Sequence, residues 1–254
     1  MDVMNLVESM LRWFHVVAGI LWIGLLYFFN WVNSAFAPTM DGETKKKVVP
    51  QLMPRALYWF RWGAALTWIT GVLLLAIVFY HGKIVFADTL QSWNAAGYVA
   101  AALTFLGVFL YDALQKPLAK NPSANFVVMW LLASAIVVLI FGRWAGFGAR
   151  AQMIHLGSMF GTTMAFNVWY RIWPAQRKII TAVRDGAAPD AALVALAGTR
   201  SKHNTFMSVP LVFTMVNAHN VWAWDQVWAM PAIILVGWFI VQHLYKRAAK
   251  VPGF

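Results

Sequence analysis

Seven stretches of nearly unbroken apolar sequence decide what this chain can fold into. They cover residues 11–32, 59–80, 95–111, 126–142, 151–169, 206–219 and 227–245. Most approach twenty residues, the length at which an α-helix crosses a hydrocarbon layer of about 30 Å. In lipid the backbone must satisfy its own hydrogen bonds, which leaves helices and closed barrels. The runs are continuous rather than alternating, so they read as helices. The sixth is the shortest and contains Pro210. The fold expected is therefore all-α: one polytopic membrane bundle of about seven transmembrane helices, with 1–254 as a single domain. Only 11% of residues are charged, against roughly 25% in soluble domains.

The net charge of +11 sorts by side. With helices alternating from an external N-terminus, the inner loops and tail hold Lys45, Lys46, Lys47, Arg55, Lys116, Lys120, Arg171, Arg177, Lys178, Arg184, Arg200, Lys202, Lys246, Arg247 and Lys250. The outer side holds Arg12, Lys83, Arg143 and Arg150. This positive-inside bias predicts an N-terminus outside and a C-terminus in the cytoplasm. The basic charge thus reports topology and lipid contact, and no nucleic-acid partner is expected. Trp13, Trp93, Trp144, Trp222 and Trp224 fall near the predicted outer ends, as an interfacial aromatic belt requires. Asp2 and Glu8 precede the first run, so no cleavable signal peptide is expected. The absence of cysteine excludes disulfides, thiolate metal sites and covalent c-type heme attachment within the chain. Two inner loops are longer than the rest. Residues 34–57 read as a lysine-rich solvated turn, and 174–204 as a cytoplasmic hairpin with a short helix begun at Pro189 and Asp190.

Polar residues inside a bilayer are costly unless partnered, so they are the informative ones. His15 and His155 are expected at similar depth near the outer ends of the first and fifth helices. That is the arrangement a bis-histidine heme b needs, with both imidazoles as ligands to the heme iron. Gly19 and Trp22 follow His15 at helical spacing, and Ser158 follows His155, offering clearance and an aromatic wall for a macrocycle. Small residues spaced by four equally suit plain helix packing. Asn217 and His219 bring polar groups to the same outer level. The segment Arg200-Ser-Lys-His-Asn offers Arg200, His203 and Asn204 as an anion or substrate contact, or Ser201 and Asn204 as helix caps. Asp112 is expected to pair with Lys116 one turn on. Arg61 has no evident partner and is expected to snorkel inward.

Several pieces recur together in order and spacing. They are His155-Leu-Gly-Ser-Met-Phe-Gly-Thr, Asn167-Val-Trp, Trp173-Pro-Ala-Gln-Arg-Lys, Arg200-Ser-Lys-His-Asn, Val209-Pro-Leu-Val-Phe-Thr-Met and Asn217-Ala-His. This set resembles the membrane domain of bacterial integral-membrane, cytochrome c-coupled urate oxidases. The opening Leu11-Arg-Trp-Phe-His-Val-Val-Ala-Gly-Ile-Leu-Trp-Ile-Gly resembles that family too. It is similar, more loosely, to the first helices of copper-resistance D proteins and of the heme-holding membrane protoporphyrinogen oxidases. The resemblance implies a bacterial inner-membrane oxidoreductase that oxidises urate or another purine at the outer face. His219, Asn217 and Arg143 would orient substrate or heme propionates there. No Cys-x-x-Cys-His occurs, so the cytochrome c that takes the electrons is expected as a separate protein. The family's Gly-rich, histidine-containing first loop is replaced by the lysine-rich 35–54. Two other readings stay open: a non-catalytic or heme-bearing subunit beside other membrane subunits of a respiratory or photosynthetic complex, and a transporter or copper-handling protein.

Overall fold

A computed structural model describes residues 3–88, 90–118, 122–217 and 228–253. Among the described residues it contains seven long helices. α1 spans Val3–Thr39 and α2 spans Gly42–His81. α3 is Ala95–Leu118. α4 is Pro122–Ala135, continued by Ile136–Trp144. α5 runs from Ala149–Phe166 through Asn167–Ile172 into Trp173–Arg184. α6 is Ala191–Val216 and α7 is Ala229–Ala248. By length and composition, α1, α2, α3, α4 and α7 are each apolar enough to cross a membrane. The molecule is therefore a helical, multi-pass membrane bundle. Its two halves are called outer and inner after the orientation expected from the charge bias.

The helices run further than the apolar segments do. The lysine-rich 34–57 is not a loop. α1 continues to Thr39 and ends in a 3-10 turn containing Pro38. Met40 then turns extended, and Asp41 opens α2, its carboxylate accepting from Thr44 N at 2.7 Å. That capping bond holds the exposed Asp41 carboxyl below its usual range. Likewise the inner hairpin is two long helix ends joined by a turn at 185–190. Gly186 takes a positive φ of 75° there, and Asp190 caps α6. The short helix expected from Asp190 is the first part of α6. Capping residues mark both starts, and continuous helix propensity carries both elements past the lipid boundary.

α5 and α6 occupy the middle of the bundle and carry most of its buried polar side chains. Met153, His155, Leu156, Met164, Asn167, Val168, His203, Asn204, Thr205, Ser208 and Thr214 on them are fully buried. The outer ring faces lipid with Val16, Val17, Ile20, Leu106, Phe109, Leu131, Leu139, Val236 and Phe239. This inverts a soluble protein, because lipid rewards apolar surface while polar groups seek partners inside. Close approach is managed by small residues: a Cβ on Gly63 would sit 3.2 Å from Trp22 N, and one on Gly237 would sit 2.9 Å from Cδ of Pro210. The helix-breaking Pro210 is thus tolerated where α7 presents a glycine to its ring.

Among the described residues, π-helical stretches interrupt α1, α2, α4 and α5, at Phe28–Asn33, Leu75–His81, Ile136–Trp144 and Asn167–Ile172. Widened turns of this kind concentrate at functional positions. Here they carry Asn30, Tyr80, Phe141 and Asn167, and each of these side chains reaches into a cluster inside the bundle.

Candidate functional site

The inner half is organised by one carboxylate. Asp112 on α3 takes Arg171 Nε at 2.9 Å through Oδ1 and a second Arg171 contact through Oδ2. Arg200 Nη2 reaches Oδ1 at 2.6 Å. The Lys116 side chain, the partner expected for Asp112, lies outside the described residues; α5 and α6 deliver two arginines to Asp112 that sequence distance hid. From Arg200 the network continues to Asn167, whose Nδ2 donates to Asn204 Oδ1 at 2.9 Å and to the Tyr111 hydroxyl at 3.1 Å. The Tyr111 hydroxyl is in turn hydrogen-bonded to His203 Nδ1 at 2.8 Å. Asn204 Nδ2 donates to Met164 O at 3.0 Å. The structure does bring Arg200, His203 and Asn204 together, but on one buried face of α6. Their polar atoms are spent on protein partners, apart from His203 Nε2, which has none among the described residues.

The opposite face of the same motif is what borders open space. Ser201 and Lys202 line an inner cavity of about 500 Å³ together with Asn30, Asn33, Gln176 and Tyr245, with Phe29 and Phe60 among its apolar walls. Asn30 ties three helices there: Nδ2 donates to Leu26 O at 2.9 Å and Ser201 Oγ at 2.8 Å, and Oδ1 accepts from the Tyr245 hydroxyl at 2.8 Å. Sequence reasoning missed Lys202, Asn30 and Tyr245. A helical wheel over 197–208 separates Ser201 and Lys202 from Arg200, His203 and Asn204, and that was the available signal.

A second cavity, of about 460 Å³, lies in the outer half between the α1–α2 pair and the α5–α6 pair. His15, Gly19, Trp22, Ser158, Gly161 and Met215 are among its lining. Val16, Ile20, Val212 and Val216 also border it and are exposed on the lipid-facing surface, so it opens sideways between α1 and α6. His15 Nδ1 lies 3.0 Å from Thr70 Oγ1. Thr70 donates its own proton to Leu66 O at 2.7 Å, so its oxygen accepts from His15 Nδ1–H. The tautomer leaves a lone pair on Nε2. The buried indole N–H of Trp22 has no partner among the described residues.

His155 does not share this cavity. It is fully buried on another face of α5, where Nδ1 donates to Ala151 O at 2.7 Å. Nε2 accepts from the Tyr80 hydroxyl at 3.0 Å, and Phe79, Phe141 and Phe147 enclose the ring. Both ring nitrogens are taken. The bis-histidine pair of His15 and His155 therefore does not fit a heme: matching depth follows from helix order but says nothing of azimuth. For a heme on His15 alone the outer cavity would offer the Nε2 lone pair, glycine walls and the orphaned Trp22 indole.

The outer polar trio is not assembled among the described residues. Arg143 is exposed at the end of α4. Asn217 folds back onto Phe213 O at 3.1 Å, ending α6. His219 lies outside the described residues. Arg61 does not snorkel free: its guanidinium stacks 3.7 Å from the Trp173 ring centroid and 5.4 Å from that of Trp169.

The two cavities are joined by aromatic rings. Tyr245 borders the inner one, and its ring meets Trp31 edge-on at 6.5 Å between centroids. Trp31 stacks on Tyr27 at 4.1 Å and 19°. Tyr27 borders the outer cavity, its hydroxyl 3.1 Å from Ser208 Oγ.

Residues 41–252 match the family model described as urate oxidase N-terminal. No curated protein and no solved structure matches the chain.

Proposed function

Since the chain belongs to the urate oxidase N-terminal family, we propose that it is the membrane oxidoreductase module of a urate-oxidase-type system. It oxidises urate or another purine and passes the electrons to a separate cytochrome c across a bacterial inner membrane. The observation that carries this reading, beyond the family, is the pair of unlike cavities linked by Tyr245, Trp31 and Tyr27.

The inner cavity suits the substrate. Its volume falls within the range of small-molecule pockets, about 300–1,000 Å³. Lys202 offers a positive charge to an anionic purine, and Tyr245, Phe29 and Phe60 offer faces to a flat ring. Asn33, Gln176 and Ser201 supply amide and hydroxyl groups for its carbonyls and N–H edges. The buried Asp112–Arg200 network positions Ser201 and Lys202 by locking the other face of α6. In this scheme the substrate binds in the inner half, where the open polar groups are, rather than at the outer face.

Oxidation of urate removes two electrons and two protons and adds one water. Two ferricytochrome c molecules, each reduced by one electron, balance it. Heme b on His15, when bound, supplies a one-electron relay between the two sites. The three rings, one pair stacked and one pair edge-on, put polarisable groups along the route from inner to outer cavity.

The test is urate consumption by purified protein in nanodiscs with ferricytochrome c, following urate loss and cytochrome reduction together. A stoichiometry of two cytochromes per urate is expected. Lys202→Met is expected to raise KM several-fold to about tenfold, the scale of one charge-assisted contact at a partly open site, with kcat little changed. No cytochrome-dependent urate loss by heme-replete, monodisperse protein would overturn the reading.

A further inference from the structure

The hydrogen bonds at the inner cavity run in one direction, and a single amide sets it. Asn30, in the π-helical stretch of α1, is 6% exposed. Its Nδ2 lies 2.9 Å from Leu26 O, an atom that can only accept, so the amide has one possible orientation. The second Nδ2 hydrogen then goes to Ser201 Oγ at 2.8 Å. Oδ1 is left facing the Tyr245 hydroxyl at 2.8 Å, which must donate to it. A serine hydroxyl that accepts in this way still carries its own hydrogen. Among the described residues the bond from Asn30 is the one that Ser201 Oγ makes, and Ser201 borders the cavity. Lys202 borders it too, its ammonium 6.0 Å from the centroid of the Tyr245 ring. The free hydroxyl hydrogen and the ammonium thus stand side by side in the sequence as two donors.

We propose that Asn30 is the positioning residue of the purine site: it makes Ser201 an obligate donor, so that the cavity selects oxopurines over aminopurines. This rests on the purine reading of the inner cavity. The choice arises on the six-membered ring, where purines carry either a carbonyl or an amine. A carbonyl there accepts from the Ser201 O–H. An amine turns its own N–H toward that hydrogen, and two donors face to face leave both unpaired in a confined space. The wrong ligand is rejected by what it strands as much as the right one is held by what it gains. An unrestrained hydroxyl would not discriminate, because it rotates to donate to one ligand and accept from the other. Asn30 removes that freedom, and the backbone of its own helix in turn holds Asn30.

The experiment measures binding rather than turnover, so neither heme nor electron acceptor enters it. Radiolabelled urate is bound to full-length protein in nanodiscs and displaced by xanthine or by diaminopurine, in which amines replace both xanthine carbonyls. Wild type, Ser201→Ala, Ser201→Thr and Asn30→Asp are compared, each checked for monodispersity. Wild type is expected to prefer xanthine. Ser201→Ala, which changes no charge, should weaken xanthine by about threefold to tenfold, the scale of one neutral hydrogen bond, without weakening diaminopurine. Ser201→Thr keeps the hydroxyl and should keep the preference. In Asn30→Asp the carboxylate accepts from both hydroxyls and draws the Ser201 hydrogen out of the cavity, so the preference should shift toward diaminopurine. A merely structural loss would weaken both ligands alike. Urate binding with no xanthine preference in wild type, or with a preference that survives Ser201→Ala and Asn30→Asp, overturns the assignment and leaves the purine reading standing. No saturable urate binding to monodisperse wild type overturns both.

Discussion

Asp112→Asn is the substitution with the largest structural consequence. It removes the carboxylate charge that faces two arginines, while keeping volume and one acceptor oxygen. Arg171 is about one-third exposed, at 35% of its side chain, and recovers much of its loss from water and headgroups. Arg200 cannot, because its side chain is 5% exposed. Stranding one partner of a buried pair costs about 3–5 kcal/mol. Nearly all of that falls on Arg200, which keeps Asn167 Oδ1 at 3.5 Å as a weak acceptor. For a chain of this length each kcal/mol lowers Tm by about 2–4 °C, so a fall on the order of 10 °C is expected. The assay is thermal unfolding in detergent by size-exclusion of a fluorescent fusion. A cycle with Arg200→Met accompanies it. The double variant should recover part of the single-site loss, because it removes charge and countercharge together. A loss under ~1 kcal/mol, or strict additivity, would refute the claim that this network organises α3, α5 and α6.

Two more outcomes follow from the same geometry. Tyr80→Phe leaves His155 Nε2 buried without its donor, which should destabilise the fold by about 1–3 kcal/mol; heme content, measured by pyridine hemochrome, should stay at the wild-type level because His155 is not a ligand. Trp31→Leu breaks the ring sequence between the cavities, so stopped-flow reduction of the heme by urate should slow at least tenfold with urate affinity and heme spectrum unchanged; equal rates would remove the aromatic route from the scheme.

Much of the architecture was legible in the residues because hydropathy acts locally. A run of twenty apolar residues must form a helix in lipid wherever its neighbours lie, and Asp41 and Asp190 announce helix starts through bonds within a few residues. Helix extent was less legible. Lysine-rich 42–57 looks like a loop by polarity, yet nothing in it stops a helix that has left the membrane, and Pro50 and Pro54 fall inside α2 without ending it. Residue types at the site were legible as well: His15 and His155 stand out as polar groups in apolar surroundings, and Arg200, His203 and Asn204 as members of one dense polar segment.

What only the tertiary structure decided is the direction each of these faces. Sequence order places His15 and His155 at similar depth, but depth is a coordinate along the helix, and ligation depends on azimuth around it. One face of α5 carries His155 into a cage of Phe79, Phe141, Phe147 and Tyr80; another presents Ser158 and Gly161 to the His15 cavity. The same division splits the 200–204 motif into a locked face and an open one. Asp112 found Arg171 and Arg200, 59 and 88 residues away, partners that no spacing along one helix announces. In lipid an unpaired charge is so unfavourable that helices pack in whatever order joins charge to countercharge, and that order is a property of the assembled bundle.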